Sequence, residues 1–371
     1  MAHIKLGTDI LSRFCRDAFC RFGFSEEDSK IITDNLLMAD IYGIESHGVQ
    51  RLQRYHKSIQ NGKILLDAKP EVVFETPLSA VIDGHNGMGQ PIGHMAMRMA
   101  IDKAHQSGMA IVTVRNSNHY SIAGYYAKMA CDEGLIGLSF TNSEAIMVPT
   151  FGKKAMIGSN PIAISMPAEP YPFFFDASTT VVTRGKLELY NKAEEPLPDG
   201  WALDEKGIPS KDAPRVLANI NQRAGGGIMP LGGSEEKSGS HKGYGYGMLC
   251  EIFTSILSLG KTSNNTRING LCHGFIAIEP ALFGDPKEIE DHLSTFLEEI
   301  RESPKAEGHD RIYTHGEKAA LATERAKKEG VPVDVKTVIE MKDMADYLKM
   351  DFASYFGDLG IDFNTGYQAS F

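Results

Sequence analysis

The stretch Ala80–Met97, AVIDGHNGMGQPIGHMAM, decides between two kinds of α/β fold. A short β-rich run leads into closely spaced glycines and then a helical pattern, an order resembling the dinucleotide-binding turn of a Rossmann domain. That motif needs its third glycine three residues after the second, but Gly93 follows Gly89 at four. No βαβ unit leads into the stretch, and Asp102 and Lys103 lie within the helix that follows. The pattern favours a glycine turn that closely approaches something else over a true Rossmann loop.

Alternating strand and helix patterns surround this stretch. Apolar residues recur at helical spacing up to about residue 60, and from about residue 70 short β-rich runs alternate with helical segments such as Ile92–Gln106 and Ile122–Cys131. The β-rich runs are EVVF, AVID, AIVTV, LIGLSFT and PIAISM. This alternation predicts a layered α/β domain behind a helical N-terminal part.

Composition excludes several classes of protein. The chain has 371 residues, of which 42% are hydrophobic and 23% charged, values typical of a globular domain. Its net charge of −10 argues against nucleic acid, which requires a concentrated basic face. No apolar run reaches the ~20 residues needed to cross a bilayer, and no signal-peptide pattern begins the chain. The five cysteines show no CxxC pair or zinc spacing, so reduced thiols, no metal site and a cytoplasmic location are expected.

A candidate for acid/base chemistry lies in Ala39–Tyr55, ADIYGIESHGVQRLQRY. His47 carries a side chain that exchanges a proton near neutrality, and Ser46 could orient its ring. Arg51 follows one helical turn later and could hold a carboxylate in a bidentate fork. A 2-hydroxy or 2-keto acid requires such a proton carrier beside an anion clamp. The alternative is a helix-capping serine beside a surface histidine and arginine.

Three further segments could contact a ligand. In 114–130, VRNSNHYSIAGYYAKMA, a strand ends before a helix begins, which is where open α/β sheets place ligands, and His119 would face that crevice. In 158–168, GSNPIAISMPA, a turn containing Ser159 precedes a strand. In 239–247, GSHKGYGYG, His241 and Lys242 stand between glycines ahead of a helix, an arrangement suited to phosphate. Simple turns and a flexible surface loop are the alternatives.

Taken together, these motifs resemble the type 2 malate/L-lactate dehydrogenase family, the sulfolactate-dehydrogenase-like oxidoreductases. The resemblance continues through FFFDASTTVVTRGKLEL, EEPLPDGWALDEKG and HKGYGYG, and so covers nearly the whole chain. It implies an α/β, non-Rossmann fold with a mixed-sheet cofactor domain and a helical N-terminal part. It also implies NAD or NADP as cofactor, a small 2-hydroxy or 2-keto acid as substrate, and a homodimer with the active site near the subunit interface.

The resemblance divides the chain into three parts. Residues 1–70 form a helical N-terminal segment that packs with the C-terminal part, residues 71–330 form the mixed-sheet NAD(P)-binding domain, and residues 331–371 form a C-terminal helical segment.

Site residues follow from the same resemblance. His47 is implied to be the acid/base residue with Ser46 as its relay partner, while Arg51 and Ser159 are implied to bind substrate. The residues implied to bind the cofactor are His119, Tyr120, Asp176, Ala177, Ser178, His241, Lys242, His315, Gly316 and Glu317. His315 stands where relatives often carry a proline, in THGEK instead of PGE.

Lys186 distinguishes among relatives. Imine-reducing members carry an aspartate in the catalytic relay at this position, just after the glycine of the RG pair, whereas this chain has TRGKLEL. A lysine cannot accept the aspartate's hydrogen bond, and its positive charge could attract a second carboxylate. This favours malate/oxaloacetate, or L-lactate/pyruvate, over an imine. A ureidoglycolate or keto-sugar-acid dehydrogenase, or a dinucleotide-binding protein without turnover, are the alternatives.

Overall fold

The computed structural model describes residues 3–267 and 269–363. Its main feature is a seven-stranded sheet of order β2-β3-β4-β10-β5-β6-β7. The strands are β2 (Glu71–Thr76), β3 (Ser79–Asp83), β4 (Met109–Ser117), β5 (Ile136–Thr141), β6 (Ile162–Met166), β7 (Phe173–Ala177) and β10 (Leu271–Ile278). Only the β3–β4 pair is parallel within this sheet, so the predicted mixed-sheet α/β fold is confirmed.

Helices cover the sheet and build a separate helical layer. They are α1 (Thr8–Phe22), α2 (Glu26–Ile41), α3 (Leu52–Gln60), α4 (Gly89–Ser107), α5 (Gly124–Cys131), α6 (Arg184–Ala193), α7 (Ala213–Gln222), α8 (Ser240–Glu251), α9 (Pro286–Glu302), α10 (Glu317–Glu329), α11 (Val335–Tyr347) and α12 (Phe352–Phe356). Among the residues described, no helix is both long and apolar enough to cross a membrane.

The two ends of the chain meet in one core. Strand β1 (His3–Leu6) pairs antiparallel with β11 (Val331–Asp334). Side chains from α1 and α2, such as Phe14 and Leu36, share an apolar cluster with Val338 of α11 and Phe352 of α12. The helical segment that carries the candidate catalytic residues is therefore fixed by the C-terminal helices.

The glycines of the stretch Ala80–Met97 allow α4 to approach the segment that follows β4. Gly89 begins α4, where a Cβ atom would lie 2.3 Å from the carbonyl oxygen of Asn118 and 2.5 Å from that of His119. A Cβ at Gly93 would lie 2.8 Å from the ring of Tyr126. The close approach predicted here is thus to the segment after β4, and it places His119 against the helical layer.

A small third cluster lies beside the sheet. It combines α6 and α7 with the two-stranded pair β8 (Ala202–Leu203) and β9 (Gly227–Ile228), around Leu187, Val216 and Ile228. Its first helix, α6, begins at Arg184 and faces the corner that holds Arg51, because the charges of Arg184 and Glu188 act on that guanidinium.

Candidate functional site

The corner that carries His47 consists of two 3₁₀ turns, Glu45–His47 and Val49–Arg51, joined at Gly48. A Cβ atom at Gly48 would lie 1.8 Å from Oδ1 of Asp40. Oδ2 of the same carboxyl accepts the Val49 N–H at 2.8 Å. The end of α2 therefore holds the corner in place, and only glycine fits at its joint.

His47 is oriented by two serines. Its Nδ1 lies 3.0 Å from Ser46 Oγ, and its backbone oxygen accepts the Ser121 hydroxyl at 2.8 Å. Burial, then the charges of Arg51 and Arg54, lowers the pKa of His47 to about 3. The imidazole is therefore neutral at physiological pH. With Nδ1–H donating to Ser46, Nε2 keeps its lone pair and can accept a proton.

His119 provides the complementary group. Its ring stacks on His47, with centroids 5.6 Å apart and planes 25° apart. Nδ1 faces the Tyr55 hydroxyl at 2.8 Å and the Ser121 N–H at 3.3 Å. Because a backbone N–H can only donate, Nδ1 is an acceptor and Nε2 carries the proton. Gln90 Nε2 donates to the Tyr55 oxygen at 2.9 Å, which leaves the tyrosine proton for His119.

Arg51 has unused hydrogen-bond donors. Its Nε donates to the backbone oxygen of Ser46 at 2.5 Å. Burial, then the Arg54 charge, lowers the pKa of Arg51 to about 10, so the guanidinium stays charged at neutral pH. Within residues 3–267 and 269–363 it forms no ion pair with a carboxylate. Its terminal N–H groups can therefore bind an anion beside the two imidazoles.

The residues predicted at the end of β7 lie at the outer edge of the sheet. Asp176 Oδ2 accepts the Gly124 N–H at the start of α5, at 2.7 Å. Burial raises the pKa of Asp176 to about 6. The exposed His315 covers this edge, since the Phe174 N–H donates to its carbonyl at 3.3 Å. Gly316 lies against the same edge. A Cβ atom at this position would lie 2.2 Å from the carbonyl oxygen of Pro172, so the close approach requires glycine.

Ser159 and the start of α8 lie next to the segment that follows β7. The carbonyl of Ser159 accepts the Thr179 N–H at 2.9 Å, and the Thr179 carbonyl accepts the Leu231 N–H at 3.0 Å. The turn at Leu231 in turn packs on α8, where a Cβ at Gly243 would lie 2.3 Å from its carbonyl oxygen. Ala177 and Ser178 therefore neighbour the first turn of α8.

His241 and Lys242 were expected ahead of a helix, but the helix begins at Ser240 and both residues lie in its first turn. Their side chains are exposed. The prediction placed the start of the helix too late because glycines disfavour helix. Here the glycines let the Leu231 turn pack against α8.

Two predicted site residues have buried side chains. Tyr120 is a core residue, 1% exposed, whose hydroxyl lies 3.1 Å from Ser139 Oγ and whose ring stacks on His273 at 4.3 Å. Glu317 is fully buried and pairs with Arg311. Neither side chain is exposed, so any contact of these two residues with a cofactor would come from their backbone.

Lys186, predicted to attract a second carboxylate, lies on α6. Its side chain is exposed, whereas Arg184 and Glu188 are the α6 residues whose charges act most on Arg51. On a helix, residues two apart point to different sides. The exposed Lys186 side chain therefore points to a different side of α6 from Arg184 and Glu188.

Several residues of the site were not predicted from the sequence. Tyr55 and Gln90 fix the tautomer of His119, and Arg54 adds a second guanidinium. Lys63 Nζ lies 3.6 Å from Glu144 Oε1. This ion pair connects the segment after α3 to the loop that contains Ser159. The available signal was helical spacing, since positions 51, 54 and 55 share one face of a helix.

Comparisons with known proteins identify the family of the chain. The profile of the malate/L-lactate dehydrogenase family matches residues 7–342. A malate dehydrogenase of Pyrococcus abyssi is 42% identical, covering 92% of this chain and 94% of its own. An L-sulfolactate dehydrogenase of Methanocaldococcus jannaschii is 33% identical, covering 91% of this chain and 96% of its own. The malate dehydrogenase structure from Entamoeba histolytica matches with a TM-score of 0.91 at 35% identity, covering 94% and 99% of the two chains. The chain belongs to the malate/L-lactate dehydrogenase family of oxidoreductases.

Proposed function

We propose that this enzyme interconverts a 2-hydroxy acid and a 2-keto acid, with L-malate and oxaloacetate as the preferred pair and NAD or NADP as cofactor. One observation carries the proposal: a neutral imidazole, His47, lies at the same corner as a guanidinium, Arg51, that has no carboxylate partner in the described residues. The malate dehydrogenase relatives support the choice of malate.

Arg51 binds the substrate and His47 transfers the proton. Arg51 holds the substrate carboxylate by charge-assisted hydrogen bonds, worth about 1.5–3 kcal/mol. His47 accepts the hydroxyl proton at Nε2 during oxidation and returns it during reduction, while Ser46 holds Nδ1–H. The Nε2–H of His119 is available to the negative charge that develops on the substrate oxygen. The nicotinamide ring, when bound, accepts or supplies the hydride.

The residues around β7 fit a dinucleotide. The first turn of α8 offers backbone N–H groups with His241 and Lys242 beside them, a combination suited to a diphosphate. Next to His119, the buried Oδ1 of Asn118 has no hydrogen-bond partner and could accept one from the cofactor. Ser178 and His315 would border the same site. Steady-state kinetics with NAD and with NADP would show which cofactor the enzyme prefers.

Steady-state kinetics test the role of His47. We expect His47→Ala to lower kcat with L-malate by roughly 10²–10⁴-fold, because the proton acceptor is lost. His292→Ala, an exposed histidine on α9, is the matched control and should keep wild-type kcat. A His47→Ala enzyme with near-native kcat would refute the assignment. Including lactate, ureidoglycolate and keto-sugar acids as substrates tests the alternatives, and cofactor binding without turnover would indicate a non-catalytic protein.

We further propose a homodimer in the cytoplasm. Support comes from a row of exposed apolar side chains along α8, the π-helical turn Ile252–Ile256 and the residues after it. The row comprises Tyr246, Met248, Leu249, Ile252, Ile256, Leu257 and Leu259. Apolar patches of this kind on a globular protein mark interaction surfaces.

A further inference from the structure

Arg54 is a second guanidinium beside the catalytic corner. It follows Arg51 by three residues, and Arg51 ends the 3₁₀ turn that leads directly into α3, so the two side chains lie on neighbouring positions about 5–6 Å apart at Cβ. Arg54 is partly exposed and, in the described parts of the chain, forms no ion pair with a carboxylate. Tyr55, the next residue, reaches His119. Arg54 therefore belongs to the same surface as the site.

The electrostatic effects of Arg54 support that position. The pKa of His119 is lowered by burial and then by the charge of Arg54, ahead of the stacked His47 ring. The pKa of His47 is lowered by burial, then by Arg51 and Arg54. Burial lowers the pKa of Lys63, its partner Glu144 opposes that shift, and the charge of Arg54 adds to it. The charge of Arg54 thus acts on both histidines, on Arg51 and on Lys63.

The corner thus carries more positive charge than the protein balances. Lys63 has Glu144 at 3.6 Å, but Arg51 and Arg54 have no such partner among the residues described. Two like charges one helical turn apart repel each other, and partial burial strengthens that repulsion. An arrangement of this kind is stabilised by a ligand with two negative charges.

We propose that Arg54 binds the second anionic group of a dianionic 2-hydroxy acid whose first carboxylate lies on Arg51. The proposal rests on the proposed function and deepens it, because it names the substrate class and the residue that selects it. A four-carbon diacid can bridge two guanidinium groups that start one turn apart. We assign this role to Arg54 and not to Lys186, because the Arg54 charge acts on both histidines and on Arg51, whereas Lys186 is an exposed residue of α6.

The test compares L-malate with L-lactate, which lacks only the second carboxylate. We expect Arg54→Gln to lower kcat/KM for malate by about 10- to 100-fold, the loss of one charge-assisted contact, and to leave kcat/KM for lactate within about threefold. Arg54→Lys should recover part of the malate loss. Lys57→Gln, which removes a charge elsewhere on α3, should leave the malate-to-lactate ratio unchanged.

A binding measurement separates this proposal from the proposed function. Calorimetric titration of the enzyme with malate and with lactate needs no turnover, so it tests Arg54 even if neither acid is oxidised. We expect wild type to bind malate more tightly than lactate, and Arg54→Gln to bind both alike. Equal losses for both acids, a malate-specific loss in Lys186→Gln in place of Arg54→Gln, or no preference for malate in wild type would each overturn the proposal. Thermal melting confirms that Arg54→Gln is folded.

Discussion

Asp40 shows how a single carboxyl shapes the corner and makes stability depend on pH. Burial raises its pKa from 3.8 to about 8, the Val49 N–H opposes that shift and the charge of Glu45 adds to it. The folded protein therefore holds the Asp40 proton more tightly than the unfolded chain. By linkage, the contribution of Asp40 to stability is greatest below about pH 4 and falls as pH rises towards 8.

Asp40→Asn should remove this pH dependence. The amide oxygen can still accept the Val49 N–H, but it has no charge to bury. We expect the free energy of unfolding, measured by denaturant titration from pH 5 to pH 8, to fall less steeply in Asp40→Asn than in wild type. Asp40→Ala, which also has no charge to bury but leaves the Val49 N–H without its acceptor, should be less stable than Asp40→Asn at every pH, by about 1–3 kcal/mol. Parallel curves for wild type and Asp40→Asn would contradict the assignment.

Part of the site could be predicted from sequence at this scale and part could not. Ser46, His47 and Arg51 are neighbours in the chain, so their spacing alone indicates a proton carrier beside an anion clamp. The tautomer of His119 depends on Tyr55 from α3 and Gln90 from α4. No local pattern reports such contacts, because they arise only when α3 and α4 pack against the segment after β4.

At the scale of elements, α8 shows tertiary packing overriding helix propensity. The glycines at 243, 245 and 247 predict a loop, since glycine costs about 1 kcal/mol in a helix interior. Gly243 is nevertheless required, because a Cβ atom there would lie 2.3 Å from the carbonyl oxygen of Leu231. The backbone of the Leu231 turn occupies the space that side chains would fill, and it orients the first turn of α8.

Gly243→Ala and Gly245→Ala form a matched pair that tests this packing. A Cβ at Gly245 meets nothing within 4 Å, so Gly245→Ala should raise the melting temperature slightly through better helix propensity. Gly243→Ala should lower the melting temperature and weaken NADH or NADPH binding, measured by fluorescence titration, because the start of α8 is displaced. Equal effects of the two substitutions on binding would show that α8 does not position the cofactor.

At the scale of the whole molecule, the α/β layering could be predicted but the strand order could not. Alternating β-rich and helical runs indicate a covered sheet, and the failed glycine fingerprint excludes a Rossmann loop. Strand β10 inserts between β4 and β5 although more than 100 residues separate it from either. Its pairing is set by packing across the whole domain, and no signal within β10 itself reports it.

We expect the proposed homodimer to form through the surface that this sheet and α8 leave uncovered. Leu259 is 85% exposed, and beside it lies a cavity of about 490 Å³ lined partly by Phe74 and Leu257. In a two-fold dimer the same patch of both subunits forms the interface. One charged substitution therefore places two charges in that interface. We expect Leu259→Lys to convert the dimer to single chains in light scattering after size exclusion. Phe283→Lys, which replaces a side chain 75% exposed elsewhere, should leave the dimer intact. A monomeric wild type, or dissociation by both substitutions alike, would rule out this surface as the dimer interface.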